Sequence, residues 1–116
     1  MIDLNIVNLH ILTKLFLDDF IKKDNGHILN VASCAAFEPG PLMATYYASK
    51  SYVYNLSMAI YEELRRKKSN VKISILCPGP VETGFSKRAE VKFKIKSLSS
   101  DYVVNYAIKH MNKLII

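Results

Sequence analysis

Apolar residues recur at helical spacing in three separate parts of the chain. The first pattern covers residues 4 to 23, where Leu, Ile, Val and Phe alternate with polar positions, and Asp24-Asn25-Gly26 ends it. The second runs from about Thr45 to Lys68, and the third from about Asp101 to Asn112, behind a serine-rich capping sequence. The pattern therefore predicts three amphipathic helices.

Two short apolar runs lie between these helices and predict buried strands. The first is His27 to Ala32, preceded by Gly26, and the second is Val71 to Cys77, stopped by Pro78-Gly79-Pro80. Strands joined by a long helix pair in parallel through a right-handed crossover. The order helix, strand, helix, strand, helix predicts an α/β fold, a slice of a doubly wound sheet. Because two parallel strands make an incomplete sheet, we expect this single domain to belong to something larger.

Composition excludes several classes of protein. The chain has 116 residues, half of them apolar, so it can form a packed core and is not disordered. Its two cysteines, Cys34 and Cys77, show neither a disulfide framework nor metal-ligand spacing, which favours a reducing, cytoplasmic location. No apolar run reaches the ~18 residues of a membrane span, and the first twenty residues do not resemble a secretion signal.

Positive charge is concentrated in two segments of a chain with a net charge of +6. One is Arg65 to Lys68, and the other lies between Lys87 and Lys96 in a basic, loop-like stretch. Such clusters can bind nucleic acid through phosphates. The first cluster, however, ends a predicted helix, where cations interact favourably with the helix dipole, and no aromatic residues are interleaved with the charges. We therefore expect neither nucleic acid nor a membrane as a partner.

The second predicted helix begins with a tyrosine and a lysine four residues apart. This spacing puts Tyr46 and Lys50 on one helix face, where an ammonium group favours the phenolate form of a neighbouring phenol. Such a phenol can give or take a proton near neutral pH. Tyr-x-x-x-Lys also occurs by chance, with the lysine simply packed on the ring.

Polar groups also follow both predicted strands, where ligands of open α/β sheets bind. Ser33 follows the first strand; its hydroxyl could hydrogen-bond a substrate carbonyl, or it could be a turn or N-cap serine. The second strand is followed by Pro78-Gly79-Pro80-Val81-Glu82-Thr83. That segment could be a rigid turn that offers backbone and a hydroxyl to a ligand, or plain chain reversal.

Taken together, these motifs resemble the short-chain dehydrogenase/reductase family. Gly26 to Ser33, then Tyr46-Tyr47-Ala48-Ser49-Lys50 thirteen residues after Ser33, then Cys77 to Thr83, follow in the family's order and spacing. The resemblance runs from about Asp3 to about Phe85. It implies a partial Rossmann-like doubly wound fold and an NAD(P)-dependent oxidoreductase that transfers hydride between a nicotinamide and a small-molecule carbonyl or alcohol.

The resemblance also implies roles for individual residues. Tyr46 matches the catalytic proton donor or acceptor, Lys50 the lysine that activates it and holds the nicotinamide ribose, and Ser33 the serine that polarises the carbonyl. Asn5 matches the asparagine that holds a water in the proton relay, with Asn8 as the competing candidate, and either could be an ordinary polar helix position. Tyr47 matches no role and is expected to pack.

Cofactor contacts are implied for Tyr46 and Lys50 and for the motif beside the nicotinamide and pyrophosphate, namely Pro78, Gly79 and Thr83. The family's glycine-rich phosphate loop is absent, because the glycines at 26, 40, 79 and 84 give no Gly-x-x-x-Gly-x-Gly spacing. The acidic or basic residue that would select between NAD and NADP belongs to the same missing region, so the sequence leaves both cofactors open. Each lost charge-assisted hydrogen bond to the pyrophosphate is worth roughly 1.5–3 kcal/mol, so we expect the chain alone to bind the dinucleotide weakly and to be inactive.

Two further expectations follow from the resemblance. The chain begins where the family enters the helix after its fourth strand, and it is expected to end before the last strand. The family's usual dimer interface corresponds to the helices near residues 4–23 and 45–68. The resemblance therefore predicts a homo-oligomer, and it predicts that a monomer would expose an apolar surface.

The alternative function is a non-catalytic remnant or protein-interaction module that keeps the site residues by descent.

Overall fold

The computed structural model describes residues 1–82 and 97–116, which form three helices and four short strands. The first helix starts as a π-helical segment, Asp3–Asn8, and continues as α1. A 3-10 turn, Cys34–Phe37, follows the first strand. The helices are α1 (Leu9–Lys23), α2 (Ala44–Arg66) and α3 (Ser100–Lys109), and the strands are β1 (His27–Val31), β2 (Lys72–Leu76), β3 (Val81–Glu82) and β4 (Leu98–Ser99).

The two longer strands pair in parallel, as the sequence predicts. Their register runs from His27 opposite Lys72 to Val31 opposite Leu76, with α2 as the connection between the strands. β3 and β4 form a second, two-residue parallel pair. The predicted α/β fold with a parallel two-stranded sheet is confirmed.

The C-terminal residues extend the main sheet. Ile115 lies beside Ile75 in a parallel bridge, and the Ile75 N–H donates to the Leu114 carbonyl at 2.7 Å. The expectation that the chain ends before the last strand placed no strand here, yet residues 114–116 pair with β2. Three apolar residues at a chain end are too few to show the alternation by which a strand is recognised.

Helices cover both faces of the β1–β2 sheet. On one face, Ile73 packs with Ile60 and Leu64 of α2, and Phe20 of α1 packs against this cluster. On the other face, Leu76 of β2 packs with two residues of α3, Val103 and Ala107. Successive residues of β2 face opposite sides, so both faces of this strand are buried, as in a parallel sheet.

The buried stripe of α2 differs from the one that apolarity alone suggests. Tyr52 and Ala59 belong to the same apolar pattern as Leu56, Ile60 and Leu64, yet Tyr52 is 37% exposed and Ala59 is exposed as well. The side chains that α2 buries are instead spaced three or four residues apart and include two serines: Ser49, Val53, Ser57, Ile60 and Leu64. Small hydroxyl side chains allow a helix to approach its neighbours closely, provided that each hydroxyl has a hydrogen-bond partner.

A groove of about 500 Å³ lies between α1 and β1. Among the described strands β1 pairs with β2 alone, so the other edge of β1 is open along this groove. Leu4, Leu12 and Phe16 line it and are more than half exposed. In α1 itself, all of which the structure describes, Thr13 is the one buried side chain. The predicted apolar stripe of the first helix is present, and most of it is uncovered.

Candidate active site

The carboxyl ends of β1 and β2 stay hydrogen-bonded beyond the strands themselves. The Ala32 N–H donates to the Leu76 carbonyl at 2.8 Å, and the Cys34 N–H donates to the Pro78 carbonyl at 3.0 Å. Ser33 and Pro78 therefore lie next to each other at one edge of the sheet. This is the edge at which open α/β sheets bind ligands.

Ser33 is buried and caps the turn that follows it. Its Oγ accepts a hydrogen bond from the Ala35 N–H at 3.1 Å, which agrees with the N-cap alternative. A hydroxyl that accepts can still donate its proton. The same oxygen lies 4.0 Å from the Cys34 sulfur, a weak acceptor that a carbonyl oxygen could replace. The capping contact thus orients the hydroxyl without using its donor.

Tyr46 and Lys50 lie on the first turns of α2, close to the end of β1. The Lys50 Nζ lies 5.8 Å from the centre of the Tyr46 ring and donates to the Val31 carbonyl at 3.2 Å. Val31 is two residues before Ser33, so this bond ties the start of α2 to the strand end that carries Ser33. Burial lowers the pKa of the Lys50 ammonium below its ordinary value of 10.5.

Asn5 lies in the π-helical segment that precedes α1. Its Nδ2 donates to the Ser49 hydroxyl at 3.2 Å, and that hydroxyl donates to the Tyr46 carbonyl at 2.7 Å. The competing Asn8 lines the groove beside β1 instead. Of the two asparagines, it is therefore Asn5 that is hydrogen-bonded to α2. Single π turns within helices occur frequently at functional sites.

The turn after β2 leaves space beside its glycine. A Cβ added to Gly79 would meet no atom of the described residues within 4 Å, so a ligand has access to the backbone there. Thr83, the remaining predicted cofactor contact, lies outside the described residues. Tyr47 packs its ring over Gly40, in agreement with its predicted packing role.

Two contacts at this site escape sequence analysis. Ser49 connects Asn5 to Tyr46, and the Val31 carbonyl receives the Lys50 ammonium. A backbone acceptor leaves no trace in a sequence. The position of Ser49 could have indicated its contact, because a small polar residue three positions after Tyr46 lies on the same helical turn.

The first basic cluster behaves as a solvated helix end. Arg65 and Arg66 both contact Glu62, at 2.6 and 3.1 Å, and hydrogen bonds from Arg65 and then Arg66 lower the pKa of Glu62 to about 2. The cluster between Lys87 and Lys96 lies outside the described residues. Within residues 1–82 and 97–116 no helix is long and apolar enough to cross a membrane, and no group of three potential ligands could hold a metal ion.

Comparison with known proteins identifies relatives of one kind. The family model for short chain dehydrogenase matches residues 1–92. An uncharacterised oxidoreductase of Staphylococcus epidermidis is 38% identical over 84 residues, which are 72% of this chain and 35% of that protein. The 17-beta-hydroxysteroid dehydrogenase type 3 of Mus musculus is 32% identical over 111 residues, covering 96% of this chain and 35% of its own length.

Solved structures share the fold. A short-chain dehydrogenase from Sphingobium yanoikuyae in complex with NADPH superposes with a TM-score of 0.87 at 24% identity, covering 99% of this chain and 46% of that one. A short chain dehydrogenase/reductase from Burkholderia phymatum in complex with NAD gives 0.68 at 26% identity, covering 92% and 40%. The chain spans about a third of the length of these curated relatives and less than half of these solved chains. By its family match, the chain belongs to the short-chain dehydrogenase/reductase family of oxidoreductases, whose Rossmann-like fold it shares in part.

Proposed function

We propose that this chain carries the proton-transfer site of a nicotinamide-dependent oxidoreductase that interconverts a carbonyl and an alcohol. Tyr46 gives a proton to the substrate oxygen in reduction and takes one in oxidation. Lys50 stabilises the phenolate and holds the nicotinamide ribose, Ser33 polarises the carbonyl, and Asn5 holds a water that supplies the relay. The contact that supports this most is the Lys50 ammonium, which joins the Tyr46 turn to the end of β1 beside Ser33.

The chemistry of each group suits its role. Reduction of a carbonyl builds negative charge on its oxygen, and a hydroxyl and a phenol that donate to that oxygen stabilise the charge. Ser33 keeps a donor available because its capping bond uses only a lone pair of the hydroxyl. The ammonium of Lys50 has three donors and gives one to Val31, which leaves others for the phenol and a sugar hydroxyl.

The residues present fit one end of a nicotinamide dinucleotide. The open space beside Gly79 and the half-buried Lys50 lie at the sheet edge where a ribose and a flat ring would be held. A bound nicotinamide supplies or accepts the hydride. The glycine-rich loop that would hold the pyrophosphate is not in this sequence, so we propose that tight binding and turnover require that loop from the rest of the family's fold. Both NAD and NADP suit the residues present.

A chimaera tests the proposed function. Residues 1–92 of this chain, the part matched by the family model, would replace the corresponding segment of the Staphylococcus epidermidis oxidoreductase. Oxidation of NADPH and NADH would be followed by absorbance with a panel of small aldehydes and ketones. We expect turnover that depends on Ser33 and Lys50, with Ser33→Ala and Lys50→Met each lowering kcat by about 10²-fold or more. A folded chimaera that binds the dinucleotide without any turnover would support the non-catalytic alternative instead.

We also propose that the assembled protein is a homo-oligomer joined through the first two helices, near residues 4–23 and 45–68. Ile11 and Leu15, one turn apart on α1, are 50% and 61% exposed and are not among the residues that line the groove. An apolar stripe of this kind is costly in water and is typical of an interface. A cytoplasmic location agrees with the free thiols of Cys34 and Cys77, which form no disulfide.

A further inference from the structure

The buried hydroxyl of Ser49 connects two parts of the candidate site. It accepts a hydrogen bond from the Asn5 side chain at 3.2 Å and donates one to the peptide carbonyl of Tyr46 at 2.7 Å. One side chain thus joins the π-helical entry of the first helix to the first turn of α2. Removing its oxygen breaks both bonds at once.

Burial makes this connection hard to replace. Ser49 is 0% exposed, so water does not reach its hydroxyl to substitute for either bond. The Tyr46 carbonyl lies in the first turn of α2, one turn before Lys50. A bond that holds this carbonyl therefore restrains the backbone from which the Tyr46 ring projects.

We propose that Ser49 is a positioning residue for the reaction of this site: it couples the orientation of Asn5 to the placement of the Tyr46 turn. The inference rests on the proposed function, because it deepens the role of the same site. Ser49 is fully buried and acts through the two residues that it joins. Its effect on catalysis comes from fixing the distance between the relay asparagine and the tyrosine.

Ser57 offers a matched control on the same helix. It is also 0% exposed, and its hydroxyl also accepts from an asparagine, Asn30, at 2.9 Å. It lies two turns beyond Ser49 and bonds to β1, away from Tyr46. Ser57→Ala therefore removes an equally buried hydroxyl from α2 without touching the Asn5–Tyr46 connection.

The test uses the full 116-residue chain with labelled tyrosine and asparagine, observed by NMR. The Tyr46 ring signals are assigned by their loss in Tyr46→Phe. We expect Ser49→Ala to move both the Tyr46 ring signals and the Asn5 side-chain NH₂ signal, and Ser49→Thr to restore them. Ser57→Ala should leave both in place. Equal movement in Ser49→Ala and Ser57→Ala, or none in either, would overturn the proposal.

The coupling between Asn5 and Tyr46 through Ser49 gives a second measurement, which a general loss of stability would not reproduce. Asn5→Ala should move the Tyr46 ring signals in the wild-type background and no longer do so in the Ser49→Ala background. In the active chimaera, Ser49→Ala should lower kcat about tenfold with little change in KM, whereas Ser57→Ala should change neither. A chimaera without turnover would contradict the proposed function, and the NMR comparison would still decide the role of Ser49.

Discussion

At the scale of single residues, the candidate site contains a lysine, Lys50, in a half-buried position that disfavours its positive charge. Its ammonium donates one hydrogen bond to the Val31 carbonyl, and burial lowers its pKa. Sites of catalysis often retain such groups at the expense of stability. The sequence predicts the pairing of Lys50 with Tyr46 from their spacing, but it gives no sign of the strand carbonyl that fixes the lysine.

Replacement of Lys50 by methionine should lower kcat without lowering the free energy of unfolding at neutral pH. Because the folded-state pKa of Lys50 lies below 10.5, the folded protein binds fewer protons than the unfolded chain between the two values. The free energy of unfolding therefore rises as the pH increases towards about 10.5, and this rise should be absent in Lys50→Met. At neutral pH we expect Lys50→Met to unfold at equal or higher urea concentration, with a gain of up to about 1 kcal/mol.

The control for this change is Lys14→Met, which removes one positive charge from an exposed position of α1. It should keep the pH-dependent rise that Lys50→Met loses. Urea unfolding of both variants between pH 7 and pH 10.5 measures the difference. A clear loss of stability in Lys50→Met at neutral pH would show that the Val31 bond outweighs the burial of the charge.

At the scale of elements, the end of α1 is fastened to the start of β2 by one carboxylate. Asp24 ends the helix in a left-handed conformation with φ of 49°, and its side chain accepts from the Asn70 N–H at 3.0 Å and the Asn70 Nδ2 at 2.7 Å. The backbone bond from Asn70 and then its side-chain bond lower the pKa of Asp24 below 3.8. The sequence predicts the end of the first helix correctly at Asp24-Asn25-Gly26, but it gives no sign of a partner 46 residues away.

Asp24→Asn should weaken this connection only where the carboxylate is charged. A folded pKa below 3.8 gives stability that is present above that value and is lost as the pH falls through the folded pKa. We expect a lower Tm for Asp24→Asn at pH 7 and a shrinking difference from wild type below about pH 4. Asparagine tolerates the left-handed backbone, so the change removes the charge and one acceptor oxygen without straining the turn. The control is Asp18→Asn in α1. Thermal unfolding of both variants and the wild type is measured across this pH range. A Tm difference between Asp24→Asn and wild type that stays constant in acid would contradict a role for the carboxylate charge.

At the scale of the whole molecule, the order and direction of the main strands follow from the sequence, while much of the surface does not. Helical spacing of apolar residues, two short apolar runs and Pro78-Gly79-Pro80 are enough to predict β1, α2 and β2. The pairing of residues 114–116 with β2 and the parallel β3–β4 pair depend on contacts between distant short segments, which local patterns do not encode. The exposed stripe of α1 is predicted correctly as apolar, but the sequence pattern does not show whether the stripe is buried or exposed.

If α1 belongs to an oligomer interface, a charge there should weaken association. Ile11→Glu places a carboxylate in the exposed apolar stripe, and we expect at least a tenfold weaker association, about 1.4 kcal/mol. Ile108→Glu on α3, where the side chain is 64% exposed, is the matched control and should leave association unchanged. Light scattering after size-exclusion chromatography over a range of concentrations measures both. Equal molar masses for wild type and Ile11→Glu would contradict an interface on α1.

The proposed proton transfer by the phenol of Tyr46 is tested most directly by comparison with the neighbouring Tyr47. Tyr46→Phe and Tyr47→Phe each remove one hydroxyl from adjacent residues of α2, but Tyr47 packs on Gly40 whereas Tyr46 lies beside Lys50. In the chimaera, kcat should fall about 10²–10⁴-fold in Tyr46→Phe and stay within about twofold in Tyr47→Phe, with NADPH affinity retained in both. Near-normal kcat in Tyr46→Phe, or equal losses in the two variants, would contradict the assignment.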